Sequence, residues 1–219
     1  MKPLKISING VRGIVGETFT PELAVAFAQA FGTYLDSGRI LVGRDTRASG
    51  PMVQAAVQAG LLAAGCEVID LGICPTPSLQ LAVTWLQAQG GISITAGHNP
   101  EQWNALKFVR SDGLYLNAMQ AEELLDIYHQ GEFEKATWNR IHTGIESRDA
   151  IAHHIEILTG GFNVAAIGAR RLTVRWIVAT ARVRGSVRAG WKRWVAKCWR
   201  SMTTSPRPRT SISKLQAAR

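Results

Sequence analysis

The sequence predicts an α/β fold, a three-layer α/β/α domain on a mainly parallel, mixed β-sheet. Short β-rich runs alternate with helix-like stretches between residues 5 and 130, and this alternation is typical of βαβ units. The predicted strands are largely apolar instead of alternating with polar residues, as expected where helices cover both faces of a sheet. We expect this domain to occupy residues 1–150.

The predicted elements follow one another at regular spacing. The first helix, from Pro21 to Leu35, has Thr20 as its N-cap and Pro21 at its first helical position. Glycines end several of the later elements, as they commonly do. These later elements are a strand at 39–42, a helix at 51–64, a strand at 66–71, a helix at 78–89, strands at 91–95 and 104–109, and a helix at 118–130.

Charge is distributed unevenly along the chain. The 219 residues include 25 Lys and Arg against 16 Asp and Glu, a formal net charge of +9. Up to residue 165 there are 11 basic residues and all 16 acidic ones, and the other 14 basic residues follow. A net positive charge suggests a nucleic-acid partner, but this split indicates an acidic domain joined to a basic segment of different character.

Composition also bears on location. No apolar run approaches the roughly 20 residues that a membrane helix needs, and the N-terminus lacks the apolar stretch of a secretory signal. Cys66, Cys74 and Cys198 have no metal-binding spacing. We interpret them as reduced thiols, with Cys66 a buried structural residue, and expect a cytoplasmic protein without a membrane partner.

Three polar, glycine-rich loops are predicted at strand ends. Their sequences are NGVRG at 9–13, GRDTRASG at 43–50 and TAGHNP at 95–100. Ligands of such sheets bind outside the carboxyl ends of the strands. The three arginines of these loops, with His98 and free backbone amides, would suit a phosphate group. In the alternative interpretation the glycines only shape turns, and Asp45 pairs with Arg47 on the surface; the joint occurrence of three loops favours an anion site.

Four segments carry a resemblance to a known family. They are GVRGIVG at 10–16, GRDTRASG at 43–50, ICPTPS at 73–78 and ITAGHNPEQWNALKF at 94–108. In this order and spacing they resemble the first domain of the α-D-phosphohexomutases, above all phosphoglucosamine mutases and phosphomannomutases. The resemblance spans roughly residues 4–170. It implies a four-domain enzyme that interconverts hexose 6-phosphates and 1-phosphates through a bisphosphorylated sugar, using a phosphoserine and Mg²⁺.

The catalytic position departs from the family pattern. The family loop reads T-A-S-H-N-P and its serine carries the phosphoryl group, whereas this chain has Gly97. Glycine has no side-chain oxygen to phosphorylate. Thr95 is predicted to point away from that position and Ser93 to lie deeper in the strand. We therefore expect the nucleophile to be absent, which typically costs several orders of magnitude in rate.

Other family positions match. By resemblance, His98 and Lys107 assist proton transfer and stabilise phosphate charge, and Arg12 is the arginine beside the phosphoserine. The phosphate-binding residues implied are Arg12, Asn99 and Lys107. Two alternatives stay open: His98 as a loop histidine bonded to backbone, and Lys107 as a solvated strand lysine.

The metal-binding part of the family pattern is not found. The family's Mg²⁺ loop, D-G-D-x-D-R, does not occur, and no Asp follows Asp149. Since Mg²⁺ requires oxygen ligands, chiefly carboxylates, we predict no metal site and no stably bound Mg²⁺. Residues 151–174 are interpreted as the linker to, and the start of, a second domain.

Residues 175–219 are predicted to be a disordered basic tail rich in Arg and Trp. Such a tail could bind nucleic acid through phosphate contacts and base stacking. Alternatively, the reading frame changes near Val174. A two-base shift lets the codons of 175–177 spell Val-Asp, and those of 191–198 spell Leu-Glu-Ala-Leu-Gly-Cys-Glu-Val, strings that resemble the opening of the family's second domain. We favour the frame change.

Three functional hypotheses result. The first is a phosphohexomutase by ancestry, with a hexose phosphate as substrate and little or no activity in this chain. The second is a non-catalytic domain that binds a sugar phosphate or anion through the amides of 97–99 with Arg12 and Lys107. The third is a nucleic-acid-binding protein that acts through the tail.

Overall fold

A computed structural model of the chain describes residues 4–7, 10–142 and 145–170. Within these residues a seven-stranded sheet has helices packed on both faces. The predicted three-layer α/β/α fold with a mixed sheet is thereby confirmed. The predicted tail at 175–219 and the frame change near Val174 lie outside the described residues.

The described residues form seven strands and six helices. The strands are β1 (Lys5–Ser7), β2 (Gly10–Ile14), β3 (Arg39–Arg44), β4 (Glu67–Ile73), β5 (Gly90–Ile94), β6 (Trp103–Arg110) and β7 (Glu146–Ser147). The helices are α1 (Pro21–Tyr34), α2 (Gly50–Ala63), α3 (Thr76–Trp85), α4 (Ala118–Gln130), α5 (Ala150–Gly160) and α6 (Val164–Ala169).

The sheet has a parallel half and an antiparallel half. Its strand order is β1-β2-β6-β5-β3-β4-β7. Strands β5, β3, β4 and β7 run parallel to one another, as helical crossovers between them require. Strand β6 lies antiparallel to β5, β2 antiparallel to β6, and β1 antiparallel to β2. The loops after β3 and β5 therefore leave the sheet side by side.

Each face of the sheet has its own apolar core. Helices α1, α2 and α4 cover one face, where the rings of Phe31 and Phe108 pack at a tilt with centroids 4.9 Å apart. Helices α3 and α5 cover the other, where Leu41, Leu79 and Val83 are fully buried. None of the described helices is both long and apolar enough to span a membrane.

Residues 10–14 correct the sequence prediction. A loop is predicted at 9–13, but Gly10–Ile14 forms strand β2, with Val11 and Gly13 buried and Arg12 exposed. The strand forms because Val11 pairs with Leu106 on β6, a partner that is distant in sequence. Arg12 is consequently held on a rigid strand, and the register sets the face on which its side chain lies.

Helix ends follow local caps. Thr20 Oγ1 accepts a hydrogen bond from the Leu23 amide at 3.3 Å, which confirms Thr20 as the N-cap of α1. Helix α3 begins at Thr76 and not at the predicted Ser78, because Pro75 is extended and caps the helix. It also ends earlier than predicted, and Gln87 follows with a φ of 52°.

Helix α5 packs on α3 and so joins the beginning of segment 151–174 to the domain. Ser78 Oγ lies 2.8 Å from His154 Nδ1. The His153 ring stacks on Trp85 with centroids 4.0 Å apart. The boundary at residue 150 between a first domain and a linker stays a prediction.

Two thiols, Cys66 and Cys74, are buried in the cores. Burial raises the pKa of each thiol from its ordinary value of 9.0 to about 12, and the negative charge of Asp70 adds to this effect at Cys74. The thiolate is the reactive form, so burial makes both groups inert. The interpretation of Cys66 as a buried structural residue is confirmed.

We expect the folded chain to lose stability as pH rises above about 9. Between the ordinary thiol pKa of 9.0 and the folded pKa of about 12, the unfolded chain releases both protons while the folded chain retains them. The unfolded state therefore binds fewer protons, and the free energy of unfolding falls with pH. Urea unfolding curves at pH 8, 9 and 10 measure this. In a Cys66→Ala, Cys74→Ala double variant the free energy of unfolding should fall less steeply with pH. An equally steep fall would contradict the attribution of the pH dependence to these two thiols.

Candidate functional site

The candidate site lies at the carboxyl ends of β3 and β5. The Asp45 amide donates to the Ile94 carbonyl at 3.0 Å, which joins the ends of the two strands. Beyond this point Thr95 Oγ1 donates to Asp45 Oδ2 at 2.7 Å. The sequence-predicted loops 43–50 and 95–100 are therefore in direct contact, at the edge where ligands of open α/β sheets bind.

Arg47 is fully engaged within the protein. Its Nε donates to Asp45, its Nη1 to the carbonyls of Pro100 and Trp103, and its Nη2 to those of Gly97 and Asn99, all at 2.8–3.0 Å. These bonds use all five N–H groups of the guanidinium. The side chain is 12% exposed.

Arg44 is also engaged. Its Nε donates to Gln54 Oε1 at 2.6 Å and its Nη1 to the Asp45 carbonyl at 3.2 Å. The expectation that all three loop arginines face an anion is therefore wrong for Arg47, whose N–H groups are all used. For Arg44, which uses only part of its donors, it stays a prediction. The alternative pairing of Asp45 with Arg47 is present, but the pair is largely buried and not at the surface.

Gly97 occupies an exposed, left-handed position. Its φ is 58°, and no atom lies within 4 Å of the place where a Cβ would be. Its amide donates to Thr95 Oγ1 at 3.2 Å. The position is therefore open to solvent and sterically free, and a side chain there would meet only the backbone strain of a positive φ.

The nearby hydroxyl groups are occupied. Thr95 Oγ1 is bonded to Asp45, and Ser93 is 3% exposed with its Oγ 3.0 Å from Thr76 Oγ1. A nucleophile must reach its substrate and needs a base within hydrogen-bond distance. Ser93 fails the first condition because it is buried. Thr95 has the Asp45 carboxylate as its acceptor, but that carboxylate is already paired with Arg47.

Arg12 and Lys107 lie on the same face of the sheet. Arg12 is opposite Ala105, and Lys107 is two residues further along β6. Diagonal neighbours of this kind have Cα atoms about 7–8 Å apart. Arg12 is exposed, and Lys107 is half-buried with its Nζ 5.7 Å from the Tyr115 ring centroid. Among the described residues, neither side chain has a hydrogen bond or an ion pair.

Lys5 was missed by the sequence reasoning. It is exposed and lies directly opposite Arg12 in the register of β1 and β2. Lys5, Arg12 and Lys107 thus share one side of three adjacent strands, which we name the cationic face. Only the strand pairing brings Lys5 into this group, so no local motif could have identified it.

His98 and Asn99 differ in their availability. His98 is exposed, and no hydrogen bond to it is found in the described part of the chain. The Asn99 amide and its side-chain Nδ2 both donate to the Ala96 carbonyl, at 3.2 and 2.6 Å. Phosphate binding by Asn99 stays a prediction, and it would compete with these two bonds.

The described residues contain no cluster of candidate metal ligands. Over the ranges 4–7, 10–142 and 145–170, no three His, Cys, Asp or Glu side chains lie close enough to hold a metal ion. Asp45, the acidic residue at the site, already accepts hydrogen bonds from Arg47 and Thr95.

The chain is similar to a group of sugar-phosphate mutases. A family profile described as phosphoglucomutase/phosphomannomutase, alpha/beta/alpha domain I, matches residues 4–135. A phosphoglucomutase/phosphomannomutase from Thermococcus kodakarensis is 40% identical over 183 residues, which cover 81% of this chain and 40% of that protein. A probable phosphoglucosamine mutase from Pyrococcus horikoshii is 38% identical over 71% of this chain and 34% of its own length.

A solved structure with a related name is also similar to this chain. The putative phosphomannomutase from Thermus thermophilus has a TM-score of 0.65 and 29% identity, covering 77% of this chain and 38% of that one. This chain spans at most about two fifths of these relatives. The profile match covers more than half of the chain and includes both loops and the strands of the cationic face. The chain therefore belongs to the phosphoglucomutase/phosphomannomutase family, through its α/β/α domain I.

Proposed function

We propose that this chain binds the phosphate group of a hexose phosphate on the cationic face beside loop 95–100. We also propose that it does not catalyse conversion of the sugar phosphate. The observation that carries the proposal is a contrast between neighbouring cations. Arg44 and Arg47 are engaged with protein groups, whereas Arg12 and Lys107 have no such partner among the described residues.

The chemistry of these groups suits a phosphate. Arg12 offers a planar fork of N–H donors, which matches two phosphate oxygens, and Lys107 offers a compact charge. Lys107 is half-buried, so its attraction for an anion is screened less by water and salt than that of an exposed lysine. His98 is exposed on the loop that follows β5 and would donate a further hydrogen bond from there.

The backbone amides of residues 97–99 offer fewer free donors to a phosphate than the sequence motif predicts. The amides of Gly97 and Asn99 already have partners within the loop. Of the three amides at 97–99, that of His98 is the one for which no partner is found in the described residues. Binding would therefore rest mainly on Arg12 and Lys107, with the amide of His98 in support.

Calorimetric titration with glucosamine 6-phosphate tests the proposal. We expect saturable binding in the millimolar range, and at least about tenfold weaker binding in Arg12→Met and in Lys107→Met, because a hydrogen bond to a charged group contributes about 1.5–3 kcal/mol. Arg140→Met and Lys135→Met are the matched controls, since both residues are exposed and lie outside the site. Binding that is absent at millimolar ligand, or that falls equally in the controls, would refute the proposal.

We also propose that residues 175–219 arise from a change of reading frame near Val174. What supports it is the pair of family-like strings that the shifted codons permit, together with a segment from 157 to 219 that contains no acidic residue. The coding DNA decides the matter directly. If the shifted frame does not contain Val-Asp followed by Leu-Gly-Cys-Glu-Val, the frame change is excluded and nucleic-acid binding by the basic tail becomes the better explanation.

A further inference from the structure

We propose that Arg47 is a positioning residue, which holds the loop from Gly97 to Trp103 in the shape that presents His98 to the bound phosphate. This inference rests on the proposed function for its consequence, but the contacts that support it are independent of any ligand. They concern the direction of the hydrogen bonds, the burial of the guanidinium and the position of His98 between two of the acceptors.

The hydrogen bonds of Arg47 converge on one short loop. Four of its five N–H groups donate to carbonyls of the loop, those of Gly97, Asn99, Pro100 and Trp103. The acceptors are backbone atoms, so the interaction fixes the course of the chain and not a particular side chain. Because a guanidinium is planar and rigid, its N–H groups also fix the relative positions of these four carbonyls.

Asp45 fixes the guanidinium in turn. Its Oδ2 accepts from Arg47 Nε at 3.0 Å, and its Oδ1 accepts from the Arg47 amide at 3.0 Å. Oδ2 also accepts from Thr95 Oγ1 at the start of the loop. The carboxylate therefore anchors Arg47 to strand β3 and neutralises its charge. A neutralised, 12% exposed guanidinium with no free N–H cannot also bind a phosphate.

His98 is the residue that this arrangement positions. The carbonyls on either side of it, those of Gly97 and Asn99, both accept from Arg47 Nη2 at 2.9 Å. A glycine at φ 58° precedes it, and glycine restricts its own backbone less than any other residue. Because this glycine does not restrict the backbone, the shape of the loop depends on the hydrogen bonds that Arg47 donates.

Hydrogen exchange tests the positioning role without a ligand. In Arg47→Met we expect amide exchange over residues 96–103 to accelerate about tenfold or more, since four carbonyls lose their donor and local opening becomes easier. Exchange in β3 and β5 should change less. Arg39→Met is the matched control, because Arg39 lies on β3, the strand that precedes the loop of Arg47, in a half-exposed pair with Glu67. Its loss should leave exchange over residues 96–103 unchanged.

Titration with glucosamine 6-phosphate at several salt concentrations tests the consequence. Replacing a charged residue that contacts the phosphate changes the salt dependence of binding, whereas replacing a residue that only positions the loop by one of the same charge does not. Lys107→Met should weaken binding and reduce its salt dependence. Arg47→Lys keeps the positive charge beside Asp45, so it should keep the salt dependence of the original chain. It should still weaken binding several-fold, because a lysine has three rotatable donors in place of a rigid fork.

The outcomes separate this proposal from the function on which it rests. If the original chain binds no phosphate, the proposed function fails, and exchange over 96–103 still decides whether Arg47 orders the loop. Unchanged exchange at 96–103 in Arg47→Met would overturn the positioning role. If Arg47→Met does not melt cooperatively, the same comparison is made in Arg47→Lys, where faster exchange confined to the loop supports the role and unchanged exchange overturns it.

Discussion

Mutase turnover is expected to be undetectable with the purified 219-residue chain. By the resemblance, Gly97 takes the position of the family's phosphorylated serine, and the nearby hydroxyls of Thr95 and Ser93 are hydrogen-bonded with Asp45 and Thr76. Removing a covalent nucleophile reduces rates by several orders of magnitude. A coupled assay with glucosamine 6-phosphate and glucose 1,6-bisphosphate measures this directly.

A Gly97→Ser variant is the informative companion. The serine has space, because no atom lies within 4 Å of the new Cβ, and it meets a positive φ of 58°, which costs about 1–2 kcal/mol. We expect this variant to fold and still to give no turnover, because the 219 residues contain no D-G-D-x-D-R magnesium loop. Turnover above background in either protein would contradict the assignment of a non-catalytic chain.

A Gly10→Ala substitution is expected to destabilise the chain by about 2–5 kcal/mol. Gly10 has a φ of 103°, and a Cβ there would lie 1.9 Å from the Leu106 carbonyl oxygen. The backbone strain contributes about 1–2 kcal/mol, and forcing β2 away from β6 adds an overpacking cost of about 1–3 kcal/mol. Urea unfolding measures the change, and displacement of β2 should also weaken phosphate binding by Arg12.

Gly16→Ala provides the matched control for this prediction. Gly16 also has a positive φ, of 78°, but no atom lies within 4 Å of its Cβ position. The substitution there should therefore cost only the backbone strain, about 1–2 kcal/mol. Equal losses in the two variants would mean that the close approach of Leu106 to Gly10 does not limit stability.

Local signals predicted much of the fold. Helix α4 has the bounds expected from its sequence, because Asn117 and Gln120 form a capping box at its start and Gly131 ends it at a φ of 71°. Helix α1 was predicted within one residue, from Thr20 and Pro21. Such caps involve neighbours in sequence, so a sequence pattern contains the whole interaction.

Interactions between distant residues explain what was missed. Strand β2 exists because its residues pair with β6, about ninety positions later, and a segment with two glycines gives no local strand signal. The same applies to Arg47, whose four carbonyl acceptors lie 50 to 56 residues away. The sequence motif indicated that Arg47 binds phosphate. Only the contact between the two loops shows that its side chain is bonded to the backbone of the other loop instead.

The most direct test of the account is an NMR titration of the ¹⁵N-labelled chain with inorganic phosphate. Binding on the cationic face predicts saturable shifts in the amides of β2, of residues 105–107 and of His98, and in the Arg12 side-chain Nε–H. Residues 130–142 lie away from the site and should not shift. Saturable shifts that map elsewhere, or no shifts at millimolar phosphate, would contradict a phosphate site formed by Arg12 and Lys107.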